Sequence, residues 1–349
     1  MAERRVALVA GGLGVIGRAL VQHFSEREGW DVVALSRRKP DFPTRARYLQ
    51  VDLLDPRATE AALAGIEATH LFYAAYQERH DAGEQVAIHL AMLQNLVRAC
   101  AARASGLRRV VLYEGVKYYG VHLGPFKTPA RESDPRHMPP NFYYDQEDWL
   151  RAEAAGKSWD MAVLRPDVVC GFAVGNPMNL TLVIAVYAAI SKELGLPLRF
   201  PGKTSAYGVL AQVTDAAQLA RASEWAALEA PAGEAYNVTN GDSFRWEQLW
   251  PGFARAFGME LAPPQAISLA EFMRDKEPLW SRIVAKHGLA AHPYGKIAAW
   301  GFGDFIFNCD YDVISSTTKL RQAGFGGIVD SEEMFLRMFD EFRRRRVIP

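Results

Sequence analysis

The 349-residue sequence predicts an α/β protein in which a parallel sheet is covered by helices on both faces. Short, nearly continuous apolar segments recur through the first half of the chain, and helical patterns separate most of them. The first apolar segment runs directly into a glycine-rich turn. Because this alternation is typical of βαβ units, we predict a Rossmann-type doubly wound parallel sheet with a smaller, mainly helical C-terminal lobe.

The strand-like segments are rich in β-branched residues, which suit a buried parallel strand. Apolar residues at helical spacing lie between them and again in the second half. The predicted strands are residues 6–10, 31–35, 47–51, 69–73, 109–113, 161–165 and 235–239. The predicted helices are residues 15–24, 85–102, 177–193, 245–258, 267–287 and 331–346.

Composition argues against several classes of protein. The formal net charge is zero, so nothing points to a nucleic acid or an anionic membrane as partner. Cys100, Cys170 and Cys309 lie far apart and form neither a disulfide framework nor a metal-ligand spacing. The apolar stretch 180–190 is too short to cross a bilayer, and residues 1–5 show no signal-peptide pattern. We expect a cytoplasmic protein without a metal site, and a homodimer is left open.

The turn after the first strand has the spacing Gly11-x-x-Gly14-x-x-Gly17. Glycine is needed where the backbone turns sharply and approaches a pyrophosphate, and the free N–H groups of the following helix point at that anion. Because the motif follows a strand and opens a helix, it predicts dinucleotide binding rather than a purely structural turn. The loop residues expected to bind the cofactor are Gly11, Leu13, Gly14, Val15, Ile16 and Gly17.

The second strand ends in Ser36-Arg37-Arg38, where NAD-binding proteins usually carry an acid for the ribose 2′-hydroxyl. Two arginines instead favour a 2′-phosphate, because guanidinium pairs bidentately with phosphate, so NADPH is the predicted cofactor. We also expect Asp52 and Leu53 to meet the adenine, and Ala74 and Ala75 to let the backbone approach the cofactor.

These segments predict two regions of the chain. Residues 1–170 are expected to form the nucleotide-binding domain, to which a segment at about 206–242 returns. Residues 171–205 and 243–349, which are richer in Trp, Phe and Pro, are expected to form the substrate-binding lobe.

Tyr113-x-x-x-Lys117 has the spacing of the catalytic pair of short-chain dehydrogenases. That pair requires a helix, in which residues four apart share one face. Here 109–113 is strand-like, and in an extended chain the two residues lie roughly 13 Å apart. The match is therefore interpreted as coincidental. Lys117 is expected to act with a tyrosine from another part of the chain.

A better position for the tyrosine is the predicted start of a helix, "PNFYYDQEDWL" (140–150), where Asn141 precedes Tyr143 and Tyr144. Four residues after each tyrosine lies an acid, Glu147 or Asp148, so the usual Tyr-x-x-x-Lys helix is broken. Since an acid does not lower the pKa of a phenol but a cation does, Lys117 is the expected partner.

Several motifs resemble the progesterone 5β-reductase/iridoid synthase-like (PRISE) group of atypical short-chain dehydrogenases: "GVKYYG", "PNFYYDQED", "LRPDVVCGF", "LRFPG" and "YNVTNGDSFRW". The resemblance implies NADPH-dependent reduction of activated carbon–carbon double bonds in a small apolar enone or enal. It implies that Tyr143 is the catalytic tyrosine, with Tyr144 as the other candidate, and that Lys117 holds the cofactor ribose. It further places Phe126 and Tyr144 at the substrate, and Val169 and Met178 near the nicotinamide and phosphates.

Two features depart from the plant pattern of that group. Tyr113-Glu114-Gly115 replaces a Gln-Thr-Gly-like stretch before the lysine, and the segment from Lys117 to Phe126 is longer. Both lie beside the substrate, so a steroid or iridoid is not assumed. Carbonyl reduction by the same residues, and a non-catalytic NADP(H)-sensing protein, remain alternatives.

Overall fold

The computed structural model of the protein describes residues 4–40, 42–103 and 106–349. The strands are β1 (Arg5–Ala10), β2 (Trp30–Ser36), β3 (Arg47–Gln50), β4 (His70–Tyr73), β5 (Arg109–Tyr113), β6 (Asp160–Pro166), β7 (Val169–Cys170), β8 (Leu198–Arg199), β9 (Leu210–Ala211), β10 (Thr214–Asp215), β11 (Ala235–Val238), β12 (Phe244–Arg245) and β13 (Leu261–Ala262).

Helices follow most of the strands up to β6 and dominate the second half. Two short 3₁₀ helices, Val116–Tyr119 and Val121–Leu123, follow β5. The α-helices are α1 (Val15–Ser25), α2 (Pro56–Ala62), α3 (Ala82–Arg103), α4 (Phe142–Ala154), α5 (Leu180–Glu193), α6 (Thr204–Tyr207), α7 (Ala216–Leu228), α8 (Trp246–Phe257), α9 (Leu269–Phe272), α10 (Glu277–His287), α11 (Tyr294–Ile297), α12 (Trp300–Phe307), α13 (Thr318–Gln322) and α14 (Ser331–Arg344).

Seven parallel strands form the central sheet in the order β11-β6-β5-β4-β1-β2-β3. This confirms the predicted fold class, and each of the seven predicted strands is found within two residues of its expected bounds. The predicted helix at 267–287 was wrong as a single element, because α9 and α10 are separate helices. Pro278 at the start of α10 suits the first turn of a new helix, where its missing N–H costs nothing.

Apolar side chains cover both faces of the sheet. Leu20 and Phe24 of α1 and Trp225 of α7 lie in one cluster, and Leu93 of α3 and Leu150 of α4 lie in the other. A third cluster, rich in Trp and Phe, surrounds α5 and forms the core of the C-terminal lobe. Because all seven strands run in one direction, their carboxyl ends meet at one edge of the sheet, where this class of fold binds its ligands.

Helix α5 is the most completely buried helix, with Leu180 to Ser191 all buried. It is too short to span a bilayer. No helix in the described part of the chain is both long and apolar enough to cross a membrane.

Candidate active site

A cavity of about 870 Å³ opens at the carboxyl edge of the central sheet. Loops that follow β1 to β6 form one side, and α11, α12 and the segment after α12 form the other. Most residues expected at the cofactor line it. They are Gly11, Leu13, Gly14, Val15, Ile16, Ser36, Arg37, Arg38, Asp52, Leu53, Ala74, Ala75, Lys117, Tyr143, Val169 and Met178.

The glycine loop closes tightly between β1 and α1. Gly11 has φ +78°, and a β-carbon there would lie 2.5 Å from the Ala74 carbonyl oxygen. Gly17 does not line the cavity, but a β-carbon on it would collide with the Gly11 carbonyl oxygen, so it lets α1 pack against the loop. Gly14 is the N-cap of α1, and no described side chain caps this helix. The first N–H groups of α1 are therefore free to bind an anion at the cavity.

The arginines after β2 lie at the outer part of the cavity. Arg37 and Arg38 are exposed, and their guanidinium groups pair with no side chain among the described residues. Asp52 accepts a hydrogen bond from the Leu54 N–H at 3.0 Å, which leaves its second carboxylate oxygen available at the rim. The two free guanidinium groups are able to bind an anion at this end of the cavity.

Lys117 lies in the first turn after β5, within the 3₁₀ helix Val116–Tyr119. The Asn141 side-chain amide donates to its backbone carbonyl at 2.9 Å, which ties this turn to the start of α4. Burial lowers the pKa of the Lys117 ammonium, and the charge of Glu78 opposes that effect. Lys117 forms no ion pair with the described part of the chain, so its charge is available to groups in the cavity.

Tyr143 lies in the first turn of α4, whose N-cap is Asn141. The Asn141 side chain accepts from the Tyr143 N–H at 3.1 Å and so fixes where the helix begins. The Tyr143 hydroxyl faces Gly115: a β-carbon on Gly115 would lie 3.3 Å from it. This hydroxyl makes no hydrogen bond to any described residue. Burial, with the nearby Tyr76 and Glu114, raises the pKa of Tyr143 well above its usual value.

Tyr113 points away from Lys117, as the strand geometry predicted. It is the last residue of β5, and its hydroxyl donates to the Ser223 hydroxyl of α7 at 2.7 Å in the buried layer under the sheet. Tyr113 does not line the cavity.

Two residues expected at the substrate do not line the cavity. The Tyr144 hydroxyl donates to the Tyr118 carbonyl at 2.6 Å and accepts from the His137 N–H at 2.9 Å. Adjacent helical residues point about 100° apart, so with Tyr143 toward the cavity Tyr144 is turned into the neighbouring cluster. Phe126 packs against that same cluster, which includes Tyr118. Contrary to expectation, the structure therefore does not bring Phe126 and Tyr144 to the cavity.

In the usual Tyr-x-x-x-Lys helix of short-chain dehydrogenases, a lysine lies four residues after the tyrosine. In this protein that position belongs to a buried ion network. Glu147, four residues after Tyr143, accepts from Arg165 of β6 at 3.0 Å and from Arg151 at 2.6 Å. Arg165 also donates to Glu114 at 2.6 Å and lies 3.4 Å from the ring centre of Tyr118. An acid rather than a lysine at 147 thus neutralises a buried arginine.

Two kinds of residue that line the cavity were given no role from the sequence, although the stretch that contains Glu114 was expected beside the substrate. Glu114 and Asp167 directly follow strands β5 and β6, and each has a buried carboxylate oxygen without a partner among the described residues. Their position after a strand was a usable signal, since ligands bind at that edge. The other group comes from the C-terminal lobe, whose contribution no local motif indicated. It includes Gly295, Ala299, Phe302, Phe305, Ile306 and Tyr311.

Known proteins resemble this chain over its whole length. The (S)-8-oxocitronellyl enol synthase of Catharanthus roseus is 32% identical, over 99% of this chain and 93% of that protein. The 3-oxo-Delta(4,5)-steroid 5-beta-reductase of Arabidopsis thaliana is 32% identical with the same coverage, 99% and 93%.

Among solved structures, the UDP-glucose 4-epimerase of Thermus thermophilus in complex with NAD has a TM-score of 0.67 at 21% identity, over 97% of this chain and 99% of that one. At that identity the likeness supports the fold alone. Residues 7–349 match the family described as the PRISE-like Rossmann-fold domain. The resemblance inferred from the motifs is confirmed, and the chain belongs to this family.

Proposed function

We propose that this protein is an NADPH-dependent reductase that adds hydride to the activated carbon–carbon double bond of a small apolar enone or enal. The coarser statement, an NAD(P)-dependent oxidoreductase of the short-chain dehydrogenase superfamily, is supported by its relatives and fold. The finer proposal follows from one observation: Tyr143 and Lys117 line the same cavity as the glycine loop, although they come from different elements.

The residues that line the cavity support the binding of a dinucleotide. The tight turn at Gly11, the uncapped start of α1 and the free Arg37 and Arg38 supply sites for phosphate. NADPH bound there would supply the hydride. Val169, Met178 and Lys117 are the residues that we expect to hold its nicotinamide end, and Phe302, Phe305 and Ile306 of α12 give the remaining space an apolar wall.

Tyr143 is the proposed hydrogen-bond donor. Conjugate addition of hydride places negative charge on the carbonyl oxygen of the substrate as an enolate. A donor fixed beside that oxygen stabilises the transition state more than the ground state. The Tyr143 hydroxyl has no competing partner in the described structure. Lys117, which lines the same cavity without an ion pair to the described residues, is the cation proposed to act beside it.

Cofactor preference tests the 2′-phosphate assignment. We expect NADPH to bind more tightly than NADH, because Arg37 and Arg38 can pair with the extra phosphate. Replacing both with alanine should remove about 1.5–3 kcal/mol of that preference, the value of charge-assisted hydrogen bonds. Fluorescence titration with each cofactor measures it, with Arg57→Ala, an exposed arginine of α2 that does not line the cavity, as the control. Equal affinities in the unaltered protein would contradict the assignment.

The products distinguish the two reductase hypotheses. A panel of small enones and enals, incubated with NADPH, should give saturated ketones and aldehydes. An allylic alcohol as main product would identify carbonyl reduction, in which the same Tyr143 protonates an alkoxide. If the protein bound NADPH but oxidised none of it with any compound of the panel, the non-catalytic, cofactor-sensing alternative would be favoured.

A further inference from the structure

The loop that follows Lys117 presents one residue to the cavity. Among residues 118–126, all of which the structure describes, Val121 is the one that lines the cavity. Phe126, which the family resemblance assigned to the substrate, packs instead against the cluster that contains Tyr118. This loop therefore contributes a valine to the cavity wall, where a phenylalanine was expected.

Val121 lies at the reacting end of the cavity. It follows Lys117 by four residues in the chain. The rings of Tyr143, Phe305 and Tyr311 pack against the cluster to which it belongs. All of these residues also line the cavity. The wall to which Val121 and Tyr311 contribute is therefore beside the groups to which we assign the chemistry.

Gly120 divides the loop into two short turns, and each turn is held by a residue from outside the loop. Its φ of +89° is a conformation that suits glycine. Before Gly120, the Asn141 side chain donates to the Lys117 carbonyl at 2.9 Å. After Gly120, the Tyr311 hydroxyl donates to the Val121 carbonyl at 2.7 Å. Because the two hydrogen bonds act on different turns, loss of the second should leave Lys117 in place.

The segment that carries Tyr311 is itself fixed. The Val313 N–H donates to the Leu210 carbonyl of β9 at 2.8 Å. The Ala130 N–H, beyond the loop, donates to the Ile314 carbonyl at 2.8 Å. The Tyr311 hydroxyl therefore ties the loop to an anchored part of the lobe, and this bond restrains the wall from moving aside for a larger ligand.

We propose that Val121 and Tyr311 are specificity-determining residues, which restrict the substrate to compact enones and enals with few substituents. The inference rests on the proposed function and adds the shape of its substrate. Because the Tyr311 hydroxyl is bonded to the backbone, the two side chains offer mainly apolar surface to a ligand. Discrimination at such a wall is by size, and a single methylene group in an apolar pocket changes kcat/KM about 10- to 200-fold.

The first test uses two enones of different size, cyclohexenone and carvone, which carries an added methyl and isopropenyl group on the same ring. We expect the unaltered protein to have the higher kcat/KM for cyclohexenone. Val121→Ala removes two methyl groups from the wall and should shift the ratio of the two kcat/KM values about tenfold toward carvone. Tyr311→Phe keeps the ring but loses the hydrogen bond, so it should shift the ratio in the same direction without changing NADPH affinity.

Tyr294 provides the matched control. Its buried hydroxyl donates to the Met273 carbonyl at 2.6 Å in the same lobe, and Tyr294 does not line the cavity. Tyr294→Phe should therefore lower stability, as Tyr311→Phe does, and leave the ratio unchanged. An unchanged ratio in Val121→Ala overturns the role of the wall. Equal ratios in Tyr311→Phe and Tyr294→Phe overturn the role of the hydrogen bond.

Ligand binding without reduction separates this inference from the proposed function. The probes are cyclohexanone and menthone, a cyclohexanone with added methyl and isopropyl groups, titrated against protein loaded with NADP⁺, which cannot donate hydride. Cyclohexanone should bind more tightly, and the difference should narrow in Tyr311→Phe but not in Tyr294→Phe. If this holds while no enone is reduced, the proposed reaction is wrong and the wall is supported. If menthone binds the unaltered protein at least as tightly as cyclohexanone, the wall is overturned, even where enones are reduced.

Discussion

Replacing Tyr143 with phenylalanine is expected to lower the rate of enone reduction about 100- to 1,000-fold, which corresponds to losing about 3–4 kcal/mol of transition-state stabilisation. The change removes only the hydroxyl, and that hydroxyl holds no other described group, so NADPH affinity and stability should hardly change. Steady-state kinetics on one cyclic enone, with cofactor binding measured separately, test this. The loss should be smaller for a strongly activated enal, whose enolate is more stable.

Two other tyrosines are the controls for this result. Tyr144→Phe removes a hydroxyl that bonds to Tyr118 and His137, so it should lower stability and leave most of the catalytic rate. Tyr113→Phe removes the buried bond to Ser223 and should behave in the same way. If Tyr143→Phe had a normal rate and Tyr144→Phe were inactive, the catalytic hydrogen-bond donor would be Tyr144 instead of Tyr143.

Lys117→Met is expected to weaken NADPH binding and also to slow the reaction.

Replacing Gly17 with alanine should lower both folding stability and cofactor affinity. Alanine normally favours a helix over glycine by about 1 kcal/mol. At Gly17, however, the new methyl group would collide with the Gly11 carbonyl oxygen, so α1 and the glycine loop must separate. Overpacking of this kind costs about 1–3 kcal/mol of folding stability. Because the displaced loop is the expected pyrophosphate site, NADPH affinity should fall about tenfold or more, equal to about 1.4 kcal/mol.

A second helical glycine provides the matched control. Gly301 lies in the first turn of α12, and a β-carbon there would meet no atom within 4 Å. Gly301→Ala should therefore leave stability unchanged or raise it slightly, and should not weaken NADPH binding. If thermal unfolding and NADPH titration gave the same result for both variants, the close packing of α1 against the loop would not be needed for cofactor binding.

The central sheet could be predicted from sequence because its strands are buried on both faces. Such strands are apolar throughout, and segments such as β5 and β6 need no tertiary information to be recognised. The starts of α1 and α4 could also be predicted, because the glycine loop and Asn141 are residue patterns typical of a helix start. The sequence also predicted correctly that Tyr113 and Lys117 do not share one helix, since Tyr113 ends the strand β5.

The remaining part of the site depends on contacts between distant segments. Glu114, at the end of a buried strand, gives no local sign that it faces Arg165 and Glu147 or that one of its oxygens is left free. The wall from α12 comes from a chain segment more than 100 residues beyond β6, and its apolar residues are equally typical of a core. Phe126 and Tyr144 were placed by family resemblance, and they turn instead into a packed aromatic cluster.

The position of β11 in the sheet has a consequence for how the chain is made. β11 covers the outer side of β6, yet it lies some 70 residues later in the chain, after α5 and α7. During synthesis, β6 therefore remains an open edge with unpaired N–H and C=O groups until the intervening segments have emerged. Helix α5, part of the second lobe, must find its place in that interval. The cofactor-binding sheet and the lobe above it are therefore expected to fold as one cooperative unit rather than in succession.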